Sequence, residues 1–176
     1  MKIFKLLAII CICTPLAAGT VCAKDLKGQV GVGFNSQLSE GGMDSISAKY
    51  WLNNDLGFQG IFGFTFSDDV DEVDLGGKVL YKLIDEKNMY VAGIGGIGIS
   101  HVNPDKGDDD TGWWLSGGVG VEYFFSGLPN LGFSTEIGLV FSDYRDNSSF
   151  NTAGDTAISA GIHYYFGGSK LKSTSE

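Results

Sequence analysis

Beyond residue 23 the chain has no cysteine, since Cys11, Cys13 and Cys22 are the only three. Disulfides, thiolate metal sites and cysteine nucleophiles are excluded from that part. Proline is scarce at three residues while aromatics reach 12%, so the 27 glycines do not signify disorder. There is no collagen period and no long low-complexity tract, and the glycines lie inside apolar, strand-like segments. Basic residues are few, 12 against 21 acidic ones. Nucleic acid is therefore a poor partner, because phosphate backbones require clustered Lys and Arg.

What is present at the start is an export signal. Lys2 and Lys5 precede an apolar run from Leu6 to about Val21, interrupted by Pro15 and followed by Val21-Cys22-Ala23. This pattern predicts a secretory signal peptide over residues 1–23, cleaved after Ala23. A lipoprotein reading with Cys22 as the modified residue is the minor alternative, because Val21 is large for the position before it. Losing Lys2 and Lys5 takes the formal charge from −9 to −11.

From Lys24 onward the dominant period is two. Alternation runs through Val30 to Phe34, Ile46 to Tyr50, Phe58 to Phe66, Leu75 to Leu83, Met89 to Ile99, Trp113 to Phe125, Leu131 to Phe141 and Thr156 to Phe166. In Met89 to Ile99 the apolar face changes between Ile94 and Ile97, which predicts a bulge near Gly95-Gly96. Leu52 to Asp55, Ile84 to Asn88 and Ser126 to Asn130 read as short turns. Gln37 to Met43, Ser67 to Glu72, His101 to Gly112 and Asp143 to Asp155 read as loops on the opposite rim. Eight strands of roughly nine to twelve residues with this asymmetry predict an all-β, eight-stranded antiparallel up-and-down transmembrane β-barrel over 24–166.

Which face meets lipid is decided by the less apolar one. It carries mainly Gly, Ser and Thr with few charges, which suits a narrow packed interior better than a watered surface. A soluble secreted ligand-binding barrel remains the alternative. Tyr50, Tyr81, Tyr90, Tyr123, Phe125, Tyr164 and Phe166 are expected as an aromatic belt at the short-turn rim, with Trp113, Trp114, Phe141 and Tyr144 at the other.

The final strand, Ile158-Ser159-Ala160-Gly161-Ile162-His163-Tyr164-Tyr165-Phe166, alternates and ends in Tyr, any residue, Phe. It resembles the C-terminal signature of the outer-membrane β-barrel family that includes OmpA, OmpX and OmpW. The resemblance implies localisation in the cell outer membrane and insertion by the barrel-assembly machinery, guided by Ile162, Tyr164 and Phe166. Many members end at that Phe, whereas residues 167–176 here form a polar tail, too short for a peptidoglycan-binding domain.

Three constellations bear on function. Lys49, Lys78, Glu122 and Glu136 fall on the interior face of four strands and are expected to pair as a barrel-interior charge network, either as structural filling or as an ion gate. The long-loop rim is acidic, with Glu40, Asp44, Asp68, Asp69, Asp71, Glu72, Asp74, Asp105, Asp108, Asp109, Asp110, Asp143, Asp146 and Asp155 against Lys106 and Arg145. Divalent cations or surface ligands are its possible partners, although the spacing of an EF-hand is absent. A small lipid-modifying enzyme is the alternative function, but only His101 and His163 are available as bases. The expectation is a non-enzymatic protein without cofactor or metal, embedded in outer-membrane lipid, with no wide pore and a structural or surface-interaction role through its acidic loops.

Overall fold

The computed structural model describes residues 24–37, 44–66, 70–104, 109–144, 147–151 and 158–167. The signal segment, the tail from 168, and Glu40, Asp68, Asp69, Asp105, Lys106, Asp108, Arg145, Asp146 and Asp155 lie outside the described residues. Nine strands run β1 Gln29–Gln37, β2 Asp44–Trp51, β3 Leu56–Phe66, β4 Val70–Glu86, β5 Met89–Pro104, β6 Asp110–Phe124, β7 Leu131–Tyr144, β8 Asn147–Asn151 and β9 Ile158–Gly167. Each pairs antiparallel with its neighbours, and the β6–β7 and β1–β9 ladders close the sheet on itself. Closure removes the free edge that an open sheet would present.

The wall has eight places rather than nine. The lower part of β7, from Leu131 to Ile137, pairs with β9, while its upper part, from Val140 to Tyr144, pairs with β8. The expected last strand from Thr156 is thus described only from Ile158, with β8 standing above it. Among the described residues no helix is long and apolar enough to cross a membrane, a test that does not bear on barrels.

Four expectations need correction. The β5 register is unbroken past Gly95 and Gly96 on both sides, and the bulge lies in β4, between Lys82 and Ile84. The change of apolar face in β5 has another cause: Tyr90, Ala92 and Ile94 face an apolar lower interior, whereas Ile97 and Ile99 face outward. The strands also run further than the apolar alternation, so that Val70–Glu72, His101–Pro104, Asp110–Gly112 and Asp143–Tyr144 are ladder rather than loop. Polar residues above a membrane keep their backbone pairing while losing the hydrophobic signal by which a strand is read. At the other rim the Ile84 to Asn88 turn shrinks to Lys87 and Asn88. In the Leu52 to Asp55 turn, Asn53 Oδ1 accepts hydrogen bonds of 2.8 Å from the backbone N–H groups of Asp55 and Leu56. This is the Asx-type closure that makes Asn a turn residue.

Outward side chains are apolar at every strand, from Phe34 and Ile46 through Phe62, Leu75, Ile97 and Leu115 to Ile137 and Ile162. Below this band stand Tyr50, Tyr81, Tyr123, Phe125, Tyr164 and Phe166, all exposed, and above it Trp113 packs on Phe141 with ring centroids 5.4 Å apart. One step higher the outer face turns polar, with His101 bonded to Thr111 and Ser148 to Asp143. From Tyr123 to Trp113 along β6 is roughly 33 Å of strand, or about 25 Å along the axis at the usual tilt, the height of a barrel's apolar band. Tyr90 is a correction here as well: it is 3% exposed and belongs to the interior, not the belt.

Candidate functional site: the barrel interior

The same alternation that turns Val, Phe and Ile outward turns Lys, Glu, Ser and Gly inward, and the interior is layered along its axis. The lowest layer is aromatic. Trp51, Tyr90, Phe124 and Tyr165 meet edge-on or tilted in sequence, with centroid distances of 5.1, 6.3 and 5.5 Å, and Leu26, Leu80 and Ala92 complete this core. Gly57 and Gly31 let the rings lie against the wall, since a Cβ at Gly57 would stand 3.0 Å from the Trp51 ring and one at Gly31 2.8 Å from Tyr165. Lys82 pairs with Asp85 at 3.0 Å and holds its ammonium 5.1 Å from the Trp51 ring.

Above the rings lie the four charges expected from sequence, and they associate two by two. Lys49 Nζ donates to Glu122 at 3.0 Å, both side chains being 1% exposed, and Lys78 Nζ donates to Glu136 at 2.5 Å. Glu122 is the more heavily bonded carboxylate. It accepts from the Tyr165 hydroxyl at 2.9 and 3.0 Å and from the Tyr90 hydroxyl as well. Glu136 accepts in addition from Ser159 at 3.2 Å. Neither tyrosine donor to Glu122 was read from sequence as interior, although alternation along β5, β6 and β9 places Tyr90, Glu122 and Tyr165 on one interior face. Trp51 was legible in the same way, two residues beyond Lys49 on β2.

His163 reaches across Gly33 on β1 to share a 2.5 Å hydrogen bond with Ser47, which also accepts from Gln59 at 3.2 Å. A serine and a histidine thus do meet. Both are sealed within the wall, at 2% and 0% exposure, and no described side chain bonds His163 Nδ1. A nucleophile needs substrate access and its base an orienting partner, and this pair has neither. His101 lies on the outer face and is bonded to Thr111 at 2.8 Å.

Higher still, the Trp114 indole covers Gly76, Gly96 and Gly98. Glu72 and Asp74, read from sequence as rim residues, turn inward above it, where Glu72 accepts from Ser100 at 3.2 Å. Among the described residues no group of three or more acidic, His or Cys side chains is arranged to hold a metal.

No family model and no curated protein matches the sequence. Solved structures do match. The N-terminal β-barrel domain of Pseudomonas aeruginosa OprF superposes with a TM-score of 0.56 at 14% identity, over 81% of this chain and 100% of that one. The fold is that of the small outer-membrane β-barrels. Two structures of the Yersinia pestis attachment invasion locus protein Ail also align, a crystal structure at 16% identity and TM-score 0.40 and a bilayer-nanodisc structure at 15% and 0.45. The first covers 80% of this chain and 99% of its own, the second 78% and 97%. At 14% identity the likeness to the OprF domain is one of fold.

Proposed function

We propose that the chain is exported, loses residues 1–23 and spans the outer membrane as a non-enzymatic barrel with an occluded interior, meeting its surroundings through the acidic rim above the membrane. The single observation that carries this reading is the inversion of polarity: Lys49 and Glu122 are sealed inside while Val119, Ile97 and Leu75 face outward. Water would reverse that arrangement, whereas lipid requires it. The interior supports the closed lumen, because an eight-stranded barrel is just wide enough for side chains to fill, and here rings and paired charges fill it. The surface role rests on rim composition, with Asp44, Asp71 and Asp109 exposed among its described residues, and loops of such scaffolds commonly carry the function.

Depth dependence tests the membrane placement. Val119, 43% exposed on the outer face and midway between the girdles, is expected to tolerate arginine poorly. Val119→Arg should cost about 2–4 kcal/mol in lipid vesicles, and Thr111→Arg, above the upper girdle, about 0–1 kcal/mol. The check is a urea titration of the heat-modifiable, folded band; equal and negligible costs at the two sites would place the outer face in water. For the lumen, planar-bilayer recording of the pure protein is expected to show no steady porin-sized current.

A further inference from the structure

The segment preceding β1 belongs to no ladder, yet it contains one of the most deeply buried side chains in the protein. Leu26 is 0% exposed and packs in the aromatic layer with Trp51, Tyr90, Phe124 and Tyr165. The chain reaches that position through a turn. Gly28 has φ +71°, a left-handed conformation that side chains rarely adopt, and Gln29 N–H closes the turn on Leu26 O at 2.9 Å. Gly28 N–H in turn donates 2.8 Å to Trp51 O, fastening the turn to the end of β2. On its other side Lys24 Nζ donates to Pro129 O in the β6–β7 turn and stands 3.4 Å over the Phe124 ring. The segment therefore crosses beneath the interior, fastened to β2 on one side and to the β6–β7 turn on the other.

We propose that residues 24–28 are a stopper, swung under the barrel at Gly28 so that Leu26 seals the short-turn end of the interior against water. This inference rests on the occluded-lumen reading and assigns the seal at one end to a particular segment. The strand-to-strand turns do not provide it there. Leu52, Phe125 and Leu128 of the turns are exposed, while Leu26 is buried in the core. Lys24 fastens the stopper rather than forming it. Burial lowers its pKa to about 8, against a rise from Glu122.

Trp51 reports on the seal. In a Trp113→Phe, Trp114→Phe background it is the sole tryptophan, and acrylamide should scarcely quench it in the folded, detergent-solubilised barrel. Leu26→Ser is expected to raise its quenching slope by about threefold or more while the band remains heat-modifiable, because a fully buried ring gains a path to water. Unchanged quenching in folded Leu26→Ser, or strong quenching before any change at Leu26, overturns the stopper without touching the membrane reading. Should Leu26→Ser not fold, hydrogen exchange in the unsubstituted protein decides. Gly28 and Gln29 amides protected at least about tenfold over free peptide support the stopper, and amides exchanging at free-peptide rates refute it.

Discussion

Glu122→Ala is expected to lower folding stability in lipid vesicles by about 3–5 kcal/mol, the cost of leaving a buried partner charge uncompensated. The change strands Lys49 inside the wall at 2% exposure and removes the acceptor of both the Tyr90 and Tyr165 hydroxyls. Replacing the pair together, Lys49→Met with Glu122→Leu, should cost much less than the single change, because no charge is then left without a partner. The contrast separates the worth of the ion pair from the penalty of breaking it. Measurement is by urea titration of the heat-modifiable band for both variants. If Glu122→Ala unfolded at the parent's midpoint, the carboxylate would be hydrated rather than clamped, and the layered interior described above would be wrong at its centre.

Period-two reading recovers the faces of each strand because it depends only on local alternation, and this is why Leu115 to Glu122 and Ile158 to Phe166 were legible. It says nothing of which residues meet across strands. Lys49 and Glu122 are 73 residues apart, and only the register of the ladders between them selects that pairing over Lys49 with Glu136. Tyr90 was misplaced for a related reason. Aromatic residues near a rim look alike in sequence whether they face lipid or the aromatic floor, and the parity that puts Tyr90 with Ala92 inside becomes decisive only once β5 is known to carry no bulge at Gly95. Strand ends failed where the hydrophobic signal stops above the Trp113 girdle, although the backbone pairs onward to Pro104. Lys24 to Gly28 carries no period at all, and the burial of its one leucine, Leu26, follows from a glycine turn.

The largest expected effect in cells concerns the closing strand. β9 pairs with β1 from Gly167 to Ser159 and with β7 from Tyr164 to Ile158, so it supplies both remaining ladders of the barrel. A strand left unpaired in lipid exposes backbone groups that cost several kcal/mol each. On its outer face Ile162, Tyr164 and Phe166 follow one another, with the last two rings 5.3 Å apart at the lower girdle, where amphipathic aromatics set a barrel's depth. We propose that these three residues are the assembly signal that the resemblance to outer-membrane barrels implies, read by the insertion machinery before closure. Tyr164→Ala with Phe166→Ala is then expected to reduce heat-modifiable protein in the outer-membrane fraction about tenfold, since both the anchor and the signal are lost. Deleting residues 168–176 should leave the amount near that of the parent, because the described ladders of β9 lie within Ile158–Gly167. The quantity to measure is folded protein in that fraction for each variant at equal expression. Normal assembly of the double alanine variant alongside failure of the truncated chain would move the signal out of β9 and into the tail.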